Sequence, residues 1–220
     1  MDFTNVIRQK EQFITETGAT LYMLFWTGLI AGILGLILGI VLVLTRENSL
    51  LANRRVYGIL DKIVNIGRSV PFIIMLAIIS PMTRVIVGTT IGTKASIVPL
   101  VVGSAPFFAR QVEAAMATVN PGVIEAARAM GLGPLEIVRK VWLPESTPAL
   151  IRVSTLTLIS VLGLTAMAGA IGGGGLGKMA ISIGYNRFQN DVILVSTVLI
   201  LVIVFIIQII GNFLERRTTH

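Results

Sequence analysis

The chain alternates long stretches lacking any ionisable residue with short polar intervals. Residues 17–45, 153–177 and 192–214 contain no Asp, Glu, Lys or Arg, and the stretch 69–83 extends back to residue 63 across Arg68 alone. A fifth stretch, 95–109, continues past Arg110 toward Ala117. A helix needs about 20 residues to cross a hydrocarbon core of ~30 Å. The pattern therefore predicts an all-α, polytopic membrane protein with spans at about 19–45, 63–83, 95–117, 150–172 and 192–214. Residues 1–16 alternate charge and bulk and read as a short interfacial helix, and 215–220 as a polar tail. The first run is too long for a cleaved signal peptide and no small-residue cleavage site follows it, so it reads as a permanent span.

Punctuation within the runs refines this picture. Arg68-Ser69-Val70-Pro71 interrupts the second span, because proline removes a backbone donor and restricts the residue before it. Arg68 reads either as a side chain reaching to the headgroups or as part of a broken helix lining a cavity. Gly28, Gly32, Gly35 and Gly39 share one face of the first span and suit close packing, within the chain or against a second copy. The glycine run 172–175 cannot sustain a helix, so the backbone bends there.

Composition narrows the function classes. Only 13% of the residues are charged, against about a quarter in soluble domains, and this agrees with a membrane setting. With no cysteine there is no disulfide framework or thiolate metal site, and the single histidine, His220, is terminal. The net charge of +7 is mostly a topology signal: twelve of the eighteen Lys and Arg fall on one side of a five-span arrangement. The positive-inside rule then puts the N-terminus outside and the C-terminus in the cytoplasm. Nucleic acid is not implied. Residues 172–178 match the glycine-lysine spacing of a phosphate loop, but a membrane span precedes them and Met179 stands where Ser or Thr must hold Mg²⁺. No metal-ligand or catalytic constellation appears, and the charge-free runs lack the Asp, Glu or His of a proton relay. The chain reads as no enzyme.

The polar interval 120–146 is the informative one. Asn120-Pro121 suits a helix start, residues 123–130 read as a short helix with Glu125 in its first turn, and Gly131 suits a left-handed stop. Gly133-Pro134 restarts a second short helix through Val141, closed by Leu143-Pro144. Glu125-Ala126-Ala127, three residues, Gly131, nine residues, Val141, one residue and Leu143-Pro144 resemble the cytoplasmic "EAA" loop of type I bacterial ABC importer permeases, with Val141 where isoleucine is common. More widely, 64–74, 83–92, 105–113 and 154–177 resemble the permeases of methionine ABC importers; Gly67 departs from that pattern, where a larger residue is expected.

The resemblance implies a multi-pass subunit of the bacterial cytoplasmic membrane. It implies work as a homodimer with two ABC ATPase subunits inside, which carry ATP and Mg²⁺, and a substrate-binding lipoprotein outside. It implies that the loop around Glu125, Ala126, Ala127, Gly131, Val141, Leu143 and Pro144 docks on the ATPase. No cofactor or metal is expected on this chain, and lipid surrounds it. Met167, at the end of span four, is the candidate gate; Ser160, Thr165 and Arg68 are weaker candidates for lining the pathway. The alternatives are a permease of the same type for another amino acid or small solute, and an ATP-independent carrier or channel.

Overall fold

The computed structural model describes residues 3–218; the expectations for Met1, Asp2, Thr219 and His220 lie outside the described residues. Every regular element among the described residues is helical. A short α1 (Thr4–Arg8) leads into α2 (Lys10–Thr45), followed by α3 (Arg54–Ser69), α4 (Phe72–Val87) and α5 (Thr93–Met116). Two short helices, α6 (Pro121–Ala129) and α7 (Pro134–Ile137), precede α8 (Leu143–Ala168), and α9 (Asn190–Thr218) ends the chain. Four helical stretches are individually long and apolar enough to cross a membrane, and the pair α3–α4 makes a fifth if counted as one bent span.

α5 is the centre of the bundle, packing along α2 and against α3, α4 and α8. The close α2–α5 approach depends on glycine: a Cβ on Gly35 would lie 2.9 Å from the Ala105 carbonyl oxygen, and one on Gly39 would lie 2.7 Å from that of Ala109. Those glycines therefore pack within the chain, whereas Gly32 on the same face meets nothing within 4 Å. The outer surfaces of α2 and α9 expose Phe25, Leu29, Ile33, Phe205, Ile206 and Ile209, an apolar exterior of the kind hydrocarbon solvates.

Three elements differ from the sequence expectation. The 63–83 segment is not one continuous span: α3 and α4 meet at 111° across Val70-Pro71. Pro71 caps α4 without a side-chain hydrogen bond, and Val70 is extended, as the residue before proline prefers. At the N-terminus the chain is already in α2 from Lys10, so residues 10–16 extend the first span rather than forming a separate interfacial helix. At ~1.5 Å per residue this 36-residue helix exceeds the ~30 Å hydrocarbon thickness, and its polar beginning projects beyond the apolar layer.

Leu143-Pro144 does not close the second short helix. α7 runs through a wide π-turn, Val138–Trp142, straight into α8. The Leu143 N–H donates five residues back to the Val138 carbonyl. This one-residue expansion lets Pro144, which has no N–H to give and would crowd a regular turn, enter the helix near its start.

Candidate functional site

The seven residues expected to form the docking loop lie on α6, the turn after it, the π-turn and the head of α8. Asn120 Oδ1 accepts from the Gly122 N–H at 2.9 Å, and Pro121 occupies the first turn of α6. The helix thus begins two residues earlier than residue 123, which places Glu125 past the first turn, where the dipole contribution has faded. Gly131, at φ +83°, reverses the chain, and the Leu132 N–H returns to the Ala127 carbonyl at 3.3 Å. Only glycine takes this conformation without penalty.

Ala127 is fully buried and Ile124 packs α6 on the core cluster beneath, while Glu125, Ala126 and Gly131 are exposed. Val141 and Leu143 are half-buried, and Pro144 is exposed at the head of α8. Exposed Met130 and Leu135 flank the Gly131 turn and give this face apolar knobs. Glu125 lines a cleft of about 320 Å³ together with Arg46 and Arg128. Beneath the loop, buried Trp142 donates its indole N–H to the Met116 carbonyl at 2.8 Å, tying the π-turn to the end of α5. Trp142 also packs with Val43, Phe108, Val112, Met116 and Val138 in one core cluster. Lys140 of the π-turn, at 2.9 Å, and the Gly133 N–H hold the carboxyl of Glu136 on α7 below its ordinary value, the hydrogen bond from Lys140 being the larger cause.

The expected pathway residues separate. Arg68 and Ser160 meet on one cavity of about 420 Å³ at the α3–α4 break. Its walls come from the middle of α5 and the second half of α8. Gly67 positions Arg68 there: a Cβ on Gly67 would lie 2.8 Å from Pro106 Cγ, so the small residue that departs from the family pattern lets the end of α3 reach α5. Met167 lies outside the cavity lining and is exposed, three to four residues along from exposed Ser160 and Gly163 on one face of α8. Thr165 is buried and donates to the Leu162 carbonyl at 2.7 Å, outside the cavity.

Two charged clusters carry no local sequence signature. At the opposite end of the bundle, Glu16 is only 7% exposed. Its carboxylate accepts from the Gly175 N–H at 2.5 Å and from Lys178 Nζ at 2.6 Å. Thr20 Oγ1 accepts from the Leu176 N–H at 2.8 Å. The glycine turn is thus pinned to α2, with Gly172, Gly174 and Gly175 all at positive φ. The phosphate-loop lookalike spends both its lysine and a loop amide on Glu16. In the second cluster Arg110 on α5 pairs with Glu113 and with Asp61 of α3, and Asn65 accepts from Arg110 at 3.1 Å. Tyr57 donates to the buried Glu113 carboxylate at 3.1 Å, so α3 is braced on α5 by charge as well as packing. The i,i+3 spacing of Arg110 and Glu113 was the only part of this visible in the sequence.

Residues 31–220 match the model of the family described as binding-protein-dependent transport system inner membrane component. The chain belongs to that family. The permease is 46% identical over 211 residues to the probable D-methionine transport system permease protein MetI of Vibrio cholerae serotype O1, covering 96% of this chain and 94% of that one. It is 49% identical over 180 residues to the methionine import system permease protein MetP of Bacillus subtilis, covering 80% and 81%. Its fold superposes on a solved structure of the MetNI methionine ABC transporter in inward-facing conformations with a TM-score of 0.95, at 44% identity and covering 97% and 99% of the two chains. The permease is a multi-pass protein of the bacterial inner membrane with the ABC importer permease fold.

Proposed function

We propose that this chain is the membrane subunit of an ATP-driven methionine importer that works by alternating access. Two copies form the pathway within residues 17–214, two ATPase subunits sit on the cytoplasmic side, and a substrate-binding lipoprotein delivers methionine from outside. The N-terminus lies outside and the C-terminus inside, in keeping with the basic residues gathered at the α6 end. In this reading 120–146 is the coupling loop, and ATP with Mg²⁺ stays on the partner. The substrate assignment draws on the relatives named for methionine transport, which match nearly the whole chain.

The observation that carries the mechanism is α6. It is a short helix seated through Ile124, with Ala127 buried, Glu125 and Ala126 facing outward and its trailing turn fixed by Gly131. The next helix continues through the π-turn into α8, so displacement of the loop is transmitted to a membrane helix rather than absorbed by a hinge. Met167, on the exposed face of α8, is the gate at the far end of that lever.

The chain has no cysteine, so a single Ala126→Cys is a clean probe. The expected result is a cross-link from residue 126 to the co-purified ATPase, with yield that changes between nucleotide-free and ATP-bound states. An ATPase that co-purifies while the residue-126 thiol stays freely reactive in both states would overturn the docking assignment.

A further inference from the structure

The cavity at the α3–α4 break has the features of a ligand site rather than a packing gap. Its volume of about 420 Å³ lies within the ~300–1,000 Å³ range of small-molecule pockets. Buried space in a bundle is usually apolar and has no polar groups left over. Here Ser104 is 2% exposed, its hydroxyl has no hydrogen-bond partner among the described residues, and it lines the cavity. Ser96, Thr157 and Ser160 donate to carbonyls of their own helices at 2.7–3.1 Å, and of the three buried hydroxyls left unpaired among the described residues, those of Thr27, Ser49 and Ser104, only Ser104 lines this cavity. A buried hydroxyl without a partner costs free energy and points to a group that is supplied from elsewhere.

The charge in the cavity has one sign. Arg68 is its only ionisable lining residue, and it makes no ion pair or hydrogen bond among the described residues. α4, a 16-residue helix, begins at the same wall, where Val70 and Phe72 both line the space. Pro71 gives its first turn no side-chain cap. The leading N–H groups of such a helix lack intrahelical acceptors and carry the positive end of its dipole. Broken membrane helices that present an N-terminus to a cavity favour the anionic group of a solute. Phe72, Met75, Phe107 and Leu164 form the remaining walls.

We propose that this cavity is a solute-binding site within the permease itself, for an α-amino acid with an uncharged, apolar side chain. Arg68 and the start of α4 take the carboxylate, Ser104 Oγ hydrogen-bonds the α-amino group, and the aromatic, Met and Leu walls take the side chain. This rests on the amino-acid importer reading above and adds to it: the permease selects for the carboxylate independently of the external binding protein.

The test is equilibrium binding of radiolabelled L-methionine to the assembled transporter in nanodiscs, without binding protein or ATP, competed by L-methionine or by methioninol, which lacks the carboxylate. The wild type is expected to prefer methionine by ~10-fold or more, the worth of one charge-assisted hydrogen bond. Arg68→Gln is expected to lose that preference together with ~10-fold in methionine affinity, and Arg68→Lys to recover part of both. Ser104→Ala is expected to weaken binding while leaving the thermal stability of the ligand-free transporter unchanged or raised, since an unpaired buried hydroxyl is removed. A structural role for Ser104 moves stability the other way. The inference is overturned if Arg68→Gln and Arg68→Lys keep wild-type affinity and preference, or if the wild type binds no methionine without its binding protein. Parallel uptake with binding protein and ATP separates the two claims. Wild-type uptake with unaltered Arg68 and Ser104 variants sinks this site alone; no methionine uptake by the wild type sinks the methionine reading, and this site with it.

Discussion

Replacing Glu16 tests the pinning of the glycine turn. In Glu16→Ala the Gly175 N–H loses its acceptor at a fully buried position. An unmet buried amide costs about 1–3 kcal/mol. Lys178 also loses its partner, but its side chain is 40% exposed, so solvent takes over much of that interaction and the added loss stays below about 1 kcal/mol. The Thr20 hydrogen bond to Leu176 remains. The sum is roughly 1–4 kcal/mol, and at ~2–4 °C per kcal/mol for a chain of this size the melting temperature should fall by roughly 2–16 °C. Glu16→Gln keeps a carbonyl oxygen within reach of Gly175 and loses only the charge, so its shift should be less than half as large. The assay is thermal unfolding of the purified transporter, followed by intrinsic fluorescence, for both variants and Lys178→Met. Equal shifts for Ala and Gln, or a larger shift for Lys178→Met than for Glu16→Ala, would refute the assignment of the amide hydrogen bond as the dominant contact.

Gly131→Val places a β-branched residue at φ +83° in open space, so its effect is backbone strain alone, about 1–2 kcal/mol. Uptake per ATP hydrolysed should drop while membrane insertion persists, and Gly131→Asn, which tolerates this conformation, should lie between; wild-type coupling in Gly131→Val would contradict the loop geometry. Trp142→Phe removes the donor to the Met116 carbonyl but keeps most of the ring, and should destabilise the transporter by about 1–2 kcal/mol and lower coupling; unchanged melting and coupling would detach the π-turn from α5. Met167→Ala should raise solute leak through reconstituted vesicles in the absence of ATP, measured as efflux of preloaded label; an unchanged leak would return Met167 to ordinary packing.

Much of this architecture is legible along the chain. The charge-free runs mark the apolar helices because hydrocarbon excludes ionised groups, and Pro71 announces the break because it constrains two residues whatever surrounds it. Asn120, Pro121 and Gly131 punctuate α6 for similarly local reasons. What the chain hides is long-range. The Glu16 carboxylate meets a turn 159 residues away, and Asp61 meets Arg110 across 49. No periodicity encodes such partners, so Glu16 reads locally as a surface charge in an amphipathic end. The π-turn is hidden for another reason: Leu143-Pro144 stops a regular helix, and only a backbone expansion upstream lets it continue. Arg68 shows the limit most clearly, since reaching for headgroups and lining a cavity require the same residue beside the same proline. The 111° bend puts Arg68 on the lining of a cavity, a placement that the proline alone does not announce.

The most direct measurement of the central claim is ATP-driven uptake of labelled methionine into vesicles holding this permease with its ATPase and external binding protein, comparing wild type with Glu125→Arg. Methionine should accumulate in the wild type only when ATP and binding protein are both present. In Glu125→Arg, accumulation should fall at least ~10-fold while the permease still inserts, because the charge on the outward face of α6 is reversed at the proposed ATPase contact. Accumulation without ATP, or a Glu125→Arg variant that takes up methionine at the wild-type rate, would contradict the account of α6 as the point where the partner's motion enters the membrane.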